Sequence, residues 1–144
     1  YLTDLTETEW QYITKVLNLQ TRKRKYDLRM IWNTIFYLVK TGCQWRMLPK
    51  EFPKWESVYY YYRKWASLDV FDLLLDRLRG HVRVERSQNM EPSVGNIDSQ
   101  SVKWGNNQSL NGVDGNKKVK GVKRHIGVDK NGSLIAVMVT VANI

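Results

Sequence analysis

The chain has 144 residues, with 23 Lys and Arg against 14 Asp and Glu, and a formal net charge of +9. That length holds one ordinary domain or two small ones, and the basic excess favours a polyanionic partner, above all nucleic acid, because neutralising phosphates releases counterions. The single cysteine, Cys43, excludes an internal disulfide and any multi-cysteine zinc site, which suits a reducing cytoplasm. No signal peptide is visible and no apolar run nears the ~20 residues of a bilayer span, so no membrane partner is expected. The charge is spread along the chain: residues 1–95 hold 16 basic and 11 acidic side chains, and residues 96–144 hold 7 and 3.

Residues 1–88 read as helical. Thr6-Glu7-Thr8-Glu9 has the form of a capping box, after which Trp10, Ile13, Val16 and Leu17 give an apolar stripe running to about Leu19. A second helix should begin after Asp27 and end near Gly42, with Leu28, Ile31, Trp32, Ile35, Leu38 and Val39 at helical spacing. Met30, Phe36 and Tyr37 make it apolar on nearly every side, as a central helix would be. Pro49 and Pro53 rule out continuous helix from Cys43 to Lys54. A third helix is expected over Trp55–Ala66, and a fourth over Val70–Glu85 with Phe71, Leu74, Leu75, Leu78 and Val82 on one face. The polar run from Arg86 to Gly95, with Pro92, reads as a linker.

The pattern then turns to β. Val94–Asp98 is a short strand, Asn106–Asn116 a Gly/Asn/Ser-rich loop, and Val122–Val128 and Leu134–Val141 two strands joined through Asp129-Lys130-Asn131-Gly132. The last strand is almost unbroken apolar sequence and should be buried on both faces. Such a strand needs further neighbours and covering helices, so the chain is expected to be cut short.

Asp98 is the residue of greatest chemical interest, an acid delivered by an apolar strand into Ser99-Gln100-Ser101. A carboxylate at a strand end suits a hard cation such as Mg2+, although a turn-capping role explains it more simply. Asp114 and Asp129 also read as turn residues. His125 and His81 lack a second histidine at ligand spacing, and metal binding by either is not expected. Lys117, Lys118, Lys120, Lys123 and Arg124 place five cations within eight residues, suited either to a solvated strand face or to a DNA backbone. Arg22-Lys23-Arg24-Lys25 lies between the first two helices, where such runs commonly meet phosphates but also form plain solvated loops. Tyr59-Tyr60-Tyr61-Tyr62-Arg63-Lys64-Trp65 covers every face of a helical turn, so some tyrosines must pack inward with Val58 and Trp65 and others face solvent. The connection from Cys43 to Lys54 is longer than the ~3–4 residues of a helix-turn-helix, which leaves this region helix-turn-helix-like.

These segments together resemble bacterial insertion-sequence transposases of the DDE type, in which a small helical domain precedes an RNase H-like catalytic domain. The resemblance rests on Leu5-Thr6-x-x-Glu9-Trp10, Lys25-Tyr26-Asp27-Leu28-Arg29, Thr41-Gly42-Cys43-Gln44-Trp45-Arg46-x-Leu48-Pro49 and Phe52-Pro53-x-Trp55. It continues through Ile97-Asp98-Ser99-Gln100-Ser101-Val102-Lys103, Lys117-Lys118-Val119-Lys120-Gly121-x-Lys123-Arg124-His125 and Ala142-Asn143-Ile144. It implies an α+β chain, with an N-terminal helical bundle over 1–88, a linker over 89–95, and over 96–144 the first three strands of a truncated RNase H-like α/β core. Asp98 would then be the first catalytic carboxylate and a Mg2+ ligand. Arg22, Lys23, Arg24, Lys25, Arg46, Arg63, Lys64, Lys117, Lys118, Lys120, Lys123 and Arg124 would face double-stranded DNA at the inverted-repeat ends of an element, in the bacterial cytoplasm or nucleoid. A second copy, or the rest of a transposase, would complete the machinery. Asp129, in the hairpin after the second strand, does not match the family's second catalytic position. With one carboxylate of the set, this portion is expected to be inactive by itself. The alternative is a DNA-binding regulator or inhibitor from a split or frameshifted transposase gene, without catalysis of its own.

Overall fold

The computed structural model describes residues 1–103 and 112–143, which group into two compact units, Tyr1–Arg77 and Leu78–Ile144. Among the described residues, four α-helices come first and an antiparallel sheet of four strands follows, an α+β order.

In the first unit, α1 (Glu7–Val16) starts where the sequence requires. The Thr6 side chain accepts from the Glu9 backbone N–H, and the Glu9 carboxylate accepts from the Thr6 N–H at 2.8 Å. That bonding, chiefly to the Thr6 backbone, holds the Glu9 carboxyl below its usual value. The helix stops at Val16, short of Leu19, because Asn18 turns left-handed at φ 46°. The Leu19 N–H then reaches back to the Thr14 carbonyl and the Asn18 N–H to that of Lys15, a Schellman ending. Leu19 still packs on the core, but from beyond the helix.

Helix α2 (Leu28–Thr41) is capped by the Asp27 carboxylate and ended by Gly42 at φ 67°. Its Leu28, Ile31, Trp32 and Ile35 are buried, and Trp32 stacks on Trp65 of α3 (Trp55–Ser67) with centroids 4.6 Å apart. An aromatic pair of this kind adds about 0.5–1.5 kcal/mol beyond its area. The expectation of a central helix, apolar on nearly every side, holds for the face that carries these residues, whereas Met30 and Val39 are exposed. Between α2 and α3 the two prolines permit only a short 3-10 turn, Trp45–Met47. Of the tyrosine run, Tyr61 packs on the core and Tyr59, Tyr60 and Tyr62 face solvent. Leu74 of α4 (Val70–Glu85) closes the cluster, whereas Leu78, expected on the same face, is exposed.

In the second unit, the central strand is β3 (Val119–Asp129). It pairs with β1 (Gly95–Lys103) along one side and with β2 (Gly112–Asp114) and β4 (Leu134–Val141) along the other. Three departures from expectation stand out. The sheet has four strands rather than three, because the end of the supposed 106–116 loop pairs as β2; residues 106–111 lie outside the described residues. Strand β1 runs on to Lys103, since β3 is long enough to partner all of it. Strand β4 is not buried on both faces: Val137, Met138 and Val139 are 53%, 63% and 50% exposed.

Among the described residues, the interior of this unit is small and partly ionic. Val122 and Ala142 are its buried apolar residues, joined by Arg83, Asp114 and Asp129. Arg83, in the last turn of α4, makes a buried ion pair with Asp129 and donates from Nε to the Asn89 carbonyl at 2.8 Å. Asp129 is the turn residue expected from its sequence, accepting from the Asn131 and Ser133 N–H groups, but its clamp onto Arg83 carried no sequence signal.

Candidate functional site

Antiparallel register fixes which side chains share a face of the sheet, because directly paired residues point the same way. Asp98 pairs with Ile126, and Ile126 with Val137; Gln100 pairs with Arg124, and Arg124 with Val139. Asp98, Gln100 and Arg124 therefore lie on one face, two residues apart along the strands. Asp98 is not at a strand end as expected. It is the fourth residue of a nine-residue strand, exposed, with Oδ1 accepting from the Ser99 N–H at 2.8 Å. Its other oxygen remains available to solvent or to an incoming cation. Arg124 donates to the Gln100 side-chain oxygen at 2.6 Å, which fixes the guanidinium on Asp98's face.

The same register divides the basic segment. Lys120 and Arg124 fall on the Asp98 face, Lys123 on the opposite one, and Lys117 and Lys118 in the turn between β2 and β3. The five cations thus do not form one patch at Asp98. Lys123 faces the same way as Ser101, its pairing partner. Asp114 is buried and accepts from the Ser101 hydroxyl and the Lys117 and Asn116 N–H groups. The Ser101 bond first, then the Lys117 N–H, hold the Asp114 carboxyl below its normal value despite burial. His125 shares a 3.0 Å hydrogen bond with Thr140, a structural role. Among the described residues no group of three or more His, Cys, Asp or Glu side chains is placed to hold a metal ion.

In the helical unit, Arg22, Lys23, Lys25, Arg46, Arg63 and Lys64 are exposed and Arg24 is half-buried. Arg46 lies 5.6 Å from the centre of the Trp55 ring and Lys25 5.5 Å from that of Tyr26, both cation–π distances. A cleft of about 260 Å³ at the start of α3 brings Arg46 together with Lys50, Lys54, Trp45 and Trp55. Lys50 and Lys54 were not singled out in the sequence. The signal available was their spacing around Pro49 and Pro53, which hold that loop against the helix start. Basic side chains interleaved with rings can meet phosphates with the charge and sugars or bases with the ring.

Two comparisons with known families bear on this arrangement. A family model described as "Putative transposase of IS4/5 family (DUF4096)" matches residues 5–75, and one described as "Transposase DDE domain" matches residues 89–144. The first covers the α1–α3 bundle and the start of α4; the second covers the sheet with Asp98. No curated protein and no solved structure gave a significant match.

Proposed function

Because the chain belongs to the IS4/5-family DDE transposases, we propose that it binds double-stranded DNA at the ends of a mobile element and offers Asp98 as the first carboxylate of a metal-dependent cleavage site. The observation that carries this reading is the placement of Asp98 on an exposed sheet face, within the segment matched by the DDE model, beside an arginine already held in position by Gln100. Arg124 and Lys120 on that face would neutralise backbone phosphates. The basic and aromatic side chains of the helical unit would hold flanking duplex.

A magnesium pair is what such chemistry implies, and the described residues fit it only in part. Two-metal phosphoryl transfer needs several carboxylates around ions about 4 Å apart, and Asp98 alone fixes neither spacing nor geometry. What these residues do is bind and orient DNA; Asp98 supplies one oxygen donor of hard character, fit for magnesium.

The test separates binding from cutting. At physiological salt the purified chain should retard a duplex bearing the terminal repeat of its element more strongly than random duplex, and should leave supercoiled plasmid intact in Mg2+. Equal retardation of both duplexes would sink the end-binding reading. Mg2+-dependent nicking that disappears in Asp98→Asn would show that the chain assembles an active site after all.

A further inference from the structure

The run Arg22-Lys23-Arg24-Lys25 is not uniformly solvated. Arg22, Lys23 and Lys25 are exposed, whereas Arg24 turns inward. Its Nη1 donates to the Arg22 carbonyl at 3.2 Å, while its Nε is closed off from solvent and has no acceptor among the described residues. A half-buried guanidinium with one N–H left unpaired is incompletely satisfied, so an anion meeting its open edge gains more than at a fully solvated arginine. Arg24 lines a cleft of about 410 Å³ between α1 and α2, together with Arg22, Trp10 and Tyr26. Asp27 also borders it, but its carboxylate is engaged in capping α2 through the Arg29 N–H at 3.0 Å. The volume falls within the roughly 300–1,000 Å³ of clefts that enclose small ligands.

We infer that this cleft seats a single unstacked nucleotide of a DNA strand, its base against Trp10 or Tyr26 and its phosphate on Arg24 and Arg22. The inference rests on the reading of the chain as a DNA binder and specifies what form of DNA this corner of it takes. An intact duplex offers phosphates and base edges and keeps the flat faces of its bases stacked inside. Aromatic walls in a narrow cleft gain nothing from such a helix. A strand end, a frayed pair or a single-stranded tail does expose a base face, and stacking on a ring is tolerant of sequence. Trp10 and Tyr26 each pack one side on the core, and a bare anion would satisfy the arginines without drawing on what those rings leave open to the cleft.

Fluorescence anisotropy with the full chain tests this, comparing a blunt duplex with the same duplex carrying a short single-stranded tail. The tail should tighten binding by about fivefold or more, the scale of one stacked base. An abasic tail of equal length, with the same phosphates, should lose that gain, and 2-aminopurine in the tail should be quenched on binding. Arg24→Gln should shrink the gain from the tail. Equal affinity for blunt and tailed duplex, a gain retained by the abasic tail, or an unquenched 2-aminopurine would each overturn the cleft while leaving duplex binding in place. Failure to bind either duplex would instead remove the DNA-binding reading, and this inference with it.

Discussion

The helical unit that carries the proposed DNA contacts is packed along α2, and Ile31 is the residue that tests that seam. It is 0% exposed, in the same cluster as Trp32, Ile35, Val58 and Trp65. Replacing it with alanine removes three buried carbons, a transfer loss of about 2.4 kcal/mol at ~0.8 kcal/mol each. The void adds to this, because the stacked Trp32–Trp65 pair and the β-branched Val58 cannot close in on it freely, so the total should reach about 3–4 kcal/mol. Ile31→Val removes one carbon and should cost about 1 kcal/mol. For a domain of this size each kcal/mol moves the melting midpoint by about 4–8 °C. Ile31→Val should therefore melt roughly 5 °C lower and Ile31→Ala roughly 15–25 °C lower. Near-UV circular dichroism reports the packed tryptophan pair and so follows this unit. Val39→Ala, on the same helix but at a position 68% exposed, is the control and should stay within about 0.5 kcal/mol of the parent. If Ile31→Ala loses no more stability than Val39→Ala, the packing described for α2 is wrong.

Two further expectations concern single sites. Burial alone would raise the Asp129 carboxyl, but the Ser133 and Asn131 N–H groups and the Arg83 guanidinium prevail and hold it at about 2. A depressed carboxyl stabilises the fold above its unfolded value near 4 and loses that contribution as pH falls towards 2. Urea midpoints of the sheet unit should thus drop between pH 4 and pH 2, and drop less in Asp129→Asn; an equal drop in both would refute the assignment. Gly42 caps α2 in the left-handed region at φ 67° with open space around its α-carbon, so Gly42→Ala should cost about 1 kcal/mol from backbone strain alone. A midpoint unchanged within error would refute it.

Local chemistry made most of the helical unit readable. The Thr6–Glu9 box, the Asp27 cap, Gly42 and the Pro49/Pro53 pair each act within a few residues of themselves, so their effect is written where they stand. Leu19 misled because apolar spacing cannot distinguish a last helical turn from a Schellman contact just beyond it. In the sheet, the length of β1 depended on partners 18 to 34 positions away, and polar Ser99, Gln100 and Ser101 concealed it. The apolar run of β4 was legible as a strand but not as an exposed one, because exposure depends on what else covers the sheet. For the candidate site, Asp98 was visible through its motif, whereas the alignment of Arg124 with it, and the separation of Lys123 from it, required the register. The Arg83–Asp129 clamp was invisible because neither residue alone differs from a surface ion.

The exposure of β4 also affects how the molecule behaves in solution. Leu134–Val141 is an uncharged, proline-free, β-branched ribbon that pairs, among the described residues, with β3 alone. Such an edge is a template for another copy's strand. The +9 charge keeps copies apart by mutual repulsion. DNA, the ligand proposed above, would neutralise that charge and so remove its protection against self-association. Crowding of protein on DNA at low salt is then the condition under which these edges meet. A charged residue on the exposed side of β4, in place of Val137 or Val139, would decouple DNA loading from clumping.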